Sequence, residues 1–240
     1  MKEFLDAPLI LASASPRRKE ILEAHGHSPI VIPAGVDETI PEDKPFTPEE
    51  TVIYLAELKA TAVLKTLAPE NWTNGCTILG VDTIVYRDRI IGKPVDEEDA
   101  LDILRSLKNA SHEVISGVCI IRALPQKVST TTIQNNVYEK PQGTSFGQAQ
   151  AVILQIVERR LFSDTTTVRF GDYSDEEILN YIRANPPYDK SGSYAIQSDW
   201  GRHALDIDGD IENVIGLPYK RISAYLRGST SAASLFEQQD

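Results

Sequence analysis

Two short stretches carry the residue types that can work on a phosphorylated molecule. The first is Ser13-Ala14-Ser15-Pro16-Arg17-Arg18. Its serines bring hydroxyls, and its arginines bring planar guanidinium forks that match phosphate oxygens two at a time. The apolar run Pro8-Leu9-Ile10-Leu11 before it reads as a buried strand. Ser15-Pro16 reads as an N-cap followed by proline at the first helical position. Such a helix start presents unpaired N–H groups and a positive dipole end, which favour an anion. Two arginines there oppose the dipole at ~0.3–1 kcal/mol each, so an anion that compensates them is expected. A capped helix with a solvated basic first turn is the alternative, and the pattern alone leaves both open.

The second stretch is Cys76 to Thr83, a buried strand closing on Asp82. Open α/β sheets bind ligands at the carboxyl ends of their strands. Thr83-Ile84-Val85-Tyr86 continues as strand and needs no cap, which favours a functional carboxylate. Lys59 lies beside the apolar stripe of a helix. It reads equally well as a lysine snorkelling from a buried stem.

The elements that must position these residues follow from periodicity. Gly26 reads as the C-cap of the first helix, and Pro29-Ile30-Val31-Ile32 as a second strand. A polar loop from Ala34 to Phe46 carries Asp37 and Glu38. Thr47-Pro48-Glu49-Glu50 is a capping box, opening a helix with apolar Val52, Leu55, Leu58, Ala62 and Val63. Arg87-Asp88-Arg89 reads as a hairpin turn, and Asp96 opens an acid-rich helix start. Val114 to Arg122 reads as a strand, and Leu124 to Gln148 as an exposed insertion. Ala151 to Val157 fits helix or strand, Thr165 to Phe170 a strand, and Ser174 to Glu177 another capping box. Asp189 to Gln197 is dense in polar groups, Ala204 to Ile215 suggests a hairpin, and Gly216-Leu217-Pro218 turns into a last helix. The tail from Gly228 is expected to fray. One domain over 1–240 is expected, with no repeat and no linker.

Composition narrows the function classes. The chain has 240 residues and a net charge of -11. A nucleic-acid binder normally carries a basic face, so a small phosphorylated ligand fits better, with the cations gathered in one pocket. No apolar run is long enough to span a bilayer, and Met1-Lys2-Glu3-Phe4, with no apolar stretch after a basic start, is not expected to begin a signal peptide. Cys76 and Cys119 form no CxxC, and the four histidines show no zinc spacing.

Four segments in order, LILASASPRRKEIL, GVDTIVYRDRIIGKP, DKSGSYAIQ and IDGDIENVIGLP, resemble the Maf family of nucleoside triphosphate pyrophosphatases. The resemblance covers most of the chain outside Leu124–Gln148 and the termini. It implies an α/β fold with a curved mixed sheet, flanking helices and two lobes around a central cleft. It also implies a cytoplasmic homodimer that hydrolyses a nucleoside triphosphate to monophosphate and pyrophosphate; from charge and composition, no nucleic-acid or membrane partner is expected. A divalent metal is implied, Mg2+ or else Mn2+. By position, the resemblance makes Ser13, Arg17 and Arg18 the phosphate-binding loop, and Lys59 and Lys93 further phosphate ligands. Glu38 matches the metal position, and Asp82 the family's proposed catalytic acid or base. Arg18, Thr83 and Gln197 match the specificity set of the thymidine and uridine triphosphate subgroup. Val81 replaces the usual alanine before Asp-Thr, and Ala195 replaces a glycine, whose added Cβ narrows the expected cleft.

The residue chemistry agrees with that set. Phosphoryl chemistry asks for positioning, charge stabilisation and an activated water. Carboxylates are the hard oxygen ligands magnesium prefers, and Asp82 suits either a general base or a metal ligand. The Gln197 amide complements the N3–H and O4 of uracil or thymine, a pattern cytosine reverses. Two other readings stand: hydrolysis of a modified or deaminated purine triphosphate, and a nucleotide-binding regulator of cell division without turnover.

Overall fold

The computed structural model describes residues 7–41, 45–129 and 150–226. The chain runs β1 (Leu9–Leu11), α1 (Pro16–Ala24), β2 (Ile30–Val31), α2 (Pro48–Thr66), β3 (Cys76–Tyr86), β4 (Ile90–Ile91) and α3 (Glu97–Leu107). It continues through β5 (Ser111–Ser129), β6 (Gln150–Phe170), α4 (Asp175–Ala184), β7 (Ala204–Asp208), α5 (Ile211–Ile215) and α6 (Tyr219–Leu226). The fold is mixed α/β, as expected. Among the described residues, seven strands form one sheet in the order β2-β1-β3-β5-β6-β7, with β4 paired to β3. β1 lies parallel to β2 and β3, while β3, β5, β6 and β7 pair antiparallel.

Side chains alternate along the central strands, and this period of two sorts the core into two faces. Ile78 of β3 and Cys119 and Ile121 of β5 pack with Ala56, Ala60 and Val63 of α2. Their neighbours Leu79, Val81, Val118 and Ile120 pack with Ile21 and Leu22 of α1 and Ile222 of α6. The sheet is therefore covered by α2 on one face and by α1 and α6 on the other. A third cluster lies further along the strands, where Val85, Val114, Val168 and Phe170 meet Leu104 of α3, Ile178 and Ile182 of α4, and Trp200.

Glycine lets α2 sit close to the sheet. A Cβ on Gly80 would stand 2.2 Å from the Ala56 carbonyl oxygen, and one on Gly117 only 2.1 Å from the Val52 carbonyl carbon. Gly117 is also the cross-strand partner of Asp82. The helix is anchored at its start by the expected capping box. Thr47 Oγ1 accepts the Glu50 N–H, and the Glu50 carboxylate accepts the Thr47 N–H. The box at Ser174 also forms, and Asp96 caps α3 by accepting the Asp99 N–H through its side chain.

Several expectations need correction. The strand read as Val114 to Arg122 extends from Ser111 to Ser129 and pairs with β6 along its length. Residues 124–129 are thus strand and not the start of an exposed insertion. Backbone ladder bonds hold them, so a run poor in apolar residues can still pair. The rest of that insertion and the tail lie outside the described residues. Ala151 to Val157 is strand, and only Ile30–Val31 of the second run is strand. Ala204 to Ile215 is no hairpin: β7 pairs with β6, and the Asp210 side chain accepts the Glu212 N–H to start α5. Ser15 is the N-cap of α1 but makes no side-chain cap bond. Instead Ser13 Oγ accepts the Ser15 N–H at 3.2 Å. Among the described residues, no helix is long and apolar enough to cross a membrane.

Candidate active site

The sheet leaves one stretch of strand open. β3 pairs with β1 through Leu79 and with β4 from Val85 onward. Between them Gly80 to Ile84 has a strand partner only on the β5 side. Asp82 and Thr83 lie in this gap, in the middle of an 11-residue strand and not at its carboxyl end as expected. Consecutive strand residues point to opposite faces. Asp82 therefore meets α2, whereas Thr83 meets α1.

On the α2 side, Lys59 is buried rather than snorkelling. Its Nζ donates to Asp82 Oδ1 at 2.6 Å and lies 3.0 Å from Glu38 Oε2. One ammonium thus gathers two carboxylates from two separate segments. Lys59 and Asp82 side chains are each 11% exposed, so the pair is weakly screened by solvent.

On the α1 side, Arg18 crosses from one part of the chain to another. Its Nε donates to the Gly216 carbonyl at 2.8 Å, Nη1 to Ser13 Oγ at 2.9 Å, and Nη2 to Thr83 Oγ1 at 3.1 Å. Gly216 caps α5 with φ 126, a conformation that favours glycine and leaves its carbonyl to Arg18. Burial lowers the Arg18 pKa; the Asp82 charge opposes this, Arg17 adds to it and Glu38 opposes it. Thr83 Oγ1 also lies 2.8 Å from Ser116 Oγ.

Arg17 points elsewhere. Its Nη1 donates to Asp189 Oδ2 at 2.7 Å, and Lys190 Nζ bonds the other oxygen of the same carboxylate. Burial of Asp189 opposes its ionisation, yet the hydrogen bonds from Lys190 and Arg17 outweigh it and its pKa is lowered.

All nine residues singled out from the sequence line one cleft of about 390 Å³: Ser13, Arg17, Arg18, Glu38, Lys59, Asp82, Thr83, Lys93 and Gln197. That volume is within the range of small-molecule sites. The lining holds five cationic side chains, Arg17, Arg18, Lys59, Lys93 and Lys190, against three carboxylates, Glu38, Asp82 and Asp189. On a chain of net charge -11, this cleft is a local excess of positive charge suited to an anionic ligand. Among the described residues Lys93 makes no ion pair. Val85, Val114, Val214, Ile215 and Tyr194 give the cleft an apolar wall.

Sequence reasoning missed Asp189, Lys190 and the Gly216 carbonyl. The polar density of Asp189 to Gln197 was the only signal for the first two. Nothing local marks Gly216 as a partner of Arg18, since the two lie 198 residues apart.

The donor set also bears on a metal. Among the described residues, no group of three or more His, Cys, Asp or Glu side chains could hold an ion alone. Two carboxylates converge, however, on one cation position. Magnesium is commonly bound by one or two carboxylates together with substrate phosphates, so Glu38 and Asp82 fit that ion.

Known proteins resemble this chain over nearly its whole length. The dTTP/UTP pyrophosphatase of Exiguobacterium sibiricum is 37% identical over 220 residues, 91% of each chain. That of Geobacillus sp. is 36% identical, covering 89% of this chain and 93% of its own. That of Lachnoclostridium phytofermentans is 34% identical, covering 89% and 91%. A family model described as Maf-like protein matches residues 8–229, from the strand before the arginine pair to beyond the last described helix. By that extent, which takes in every residue of the cleft, the chain belongs to the Maf family.

Proposed function

We propose that the protein is a nucleoside triphosphate pyrophosphatase that converts dTTP and UTP to their monophosphates and pyrophosphate. The observation that carries this reading is the convergence of Asp82, Glu38 and Lys59 in the cleft that also holds Arg17, Arg18 and Lys93. The names of the relatives supply the substrate class.

The charged cleft residues divide the tasks of that reaction. Arg17, Lys93 and Lys190 receive the β- and γ-phosphates, neutralising charge as pyrophosphate departs. Water attacks the α-phosphorus. The bond from that phosphorus to the α,β-bridging oxygen breaks, and pyrophosphate leaves with the electron pair. The Asp82 carboxylate takes the proton of the attacking water. Lys59 holds Asp82 and Glu38 at their places. Glu38 and Asp82 would hold a magnesium ion, which would supply Lewis-acid stabilisation of phosphate charge. Arg18 and Thr83 form a fixed wall, and Gln197 reads the uracil or thymine edge through its amide.

The test is a nucleotide panel with and without magnesium, reading monophosphate and pyrophosphate separately. The reading expects dTTP and UTP to lead and both products to appear in equal amounts. A modified or deaminated purine triphosphate leading the panel would displace the pyrimidine assignment. Binding without turnover would displace the enzyme.

A further inference from the structure

We propose that Asp189 is a built-in stand-in for the phosphate chain, whose carboxylate holds Arg17 and Lys190 in the cleft until a polyphosphate displaces it. The inference rests on the functional reading above and names a regulator of the same anion site.

Both oxygens of the Asp189 carboxylate are engaged by cleft cations, Oδ2 by Arg17 and Oδ1 by Lys190. A carboxylate held from both sides in this way is placed as an anion and not as a metal ligand. Glu38 and Asp82 differ, since they share a single ammonium. Arg18 differs from Arg17 as well, being tied to the neutral acceptors Gly216 O, Ser13 Oγ and Thr83 Oγ1.

Exposure makes the exchange easy in one direction. The Asp189 side chain is 57% exposed, whereas those of Arg17 and Lys190 are 23% and 19% exposed. The carboxylate can swing into water while the two cations stay in the cleft. Ion pairs of this exposure contribute little. A phosphate chain carries more charge and more oxygens, and guanidinium binds it in bidentate fashion. Asp189 thus competes with substrate and product for the same donors, and helps pyrophosphate leave.

Calorimetric titration of the full chain with inorganic pyrophosphate, in magnesium, tests this. Asp189→Asn and Asp189→Ala should bind about three- to tenfold tighter than wild type, the combined effect of removing two exposed competing ion pairs. KM for dTTP should fall with it. A residue that merely shaped the loop would give the opposite sign, looser binding and a higher KM. Should Asp189→Asn fail to fold by circular dichroism, Asp189→Ser takes its place. Unchanged or weaker pyrophosphate binding by a folded variant overturns the inference while wild-type binding and turnover leave the functional reading intact. A wild type that neither binds pyrophosphate nor hydrolyses dTTP overturns both.

Discussion

Lys59 Nζ stands 2.6 Å from Asp82 Oδ1, joining the face of α2 to the open edge of β3. The same ammonium holds Glu38 from the loop after β2. The chemistry assigned to the cleft depends on this contact, because it brings a helix, a strand and a loop to one point.

Lys59→Met removes the shared cation and leaves two carboxylates facing each other. Breaking a buried pair by deleting one partner costs ~3–5 kcal/mol. Urea unfolding should show a loss near the lower figure, since the cleft admits water. The Lys59→Met, Asp82→Asn double variant should recover part of that loss. Strictly additive effects would show that the two residues are not coupled.

Gly117→Ala tests how the helix is seated. The new Cβ would fall on the Val52 carbonyl, so α2 must move away from the sheet. Overpacking of this kind costs ~1–3 kcal/mol. Turnover should fall more than stability predicts, because the shift carries Lys59 away from Asp82. A variant with normal stability and turnover would show that the close approach is dispensable.

His112 sets a pH dependence of stability away from the catalytic groups. It is buried, with Nε2 2.8 Å from Tyr194 Oη. Burial, aided by the charge of Arg87, pushes its pKa down to about 4. The folded protein therefore keeps it neutral at pH values where the unfolded chain takes up a proton. Stability is lost as pH falls from the ordinary histidine value near 6.5 toward 4, and at pH 4.5 the loss reaches ~2–3 kcal/mol. His112→Gln should show less destabilisation on acidification than wild type, read from urea midpoints at pH 7 and 4.5. Equal losses in the two proteins would contradict the assignment.

Gln197→Ala should flatten the preference among dTTP, UTP and CTP more than it lowers the best rate. Gln197 is exposed on the cleft lining and holds no catalytic group in place. Relative kcat/KM values for the three nucleotides measure this. An unchanged ranking would mean that other residues read the base.

Much of the site was legible because its residues sit in compact local patterns. The strand, turn and helix start around Ser13 to Arg18, and the buried strand around Asp82, follow from periodicity and capping chemistry. Lys59 was left undecided, since its surroundings depend on how closely α2 lies to Gly80 and Gly117. Arg17 and Asp189 are 172 residues apart, so their contact comes from tertiary packing alone. Ala204 to Ile215 reads as a hairpin because weak alternation around Asp208-Gly209-Asp210 resembles a turn and hides the cap at Asp210. Leu124 to Ser129 was misread because strand pairing through the backbone leaves no mark on side-chain composition.

Asp82→Asn, compared with wild type for dTTP hydrolysis and for binding of a non-hydrolysable dTTP analogue, tests the central claim most directly. The account predicts that the folded variant still binds the analogue while release of monophosphate and pyrophosphate falls at least ~100-fold, as expected on losing a general base. Near-normal release of both products would contradict it.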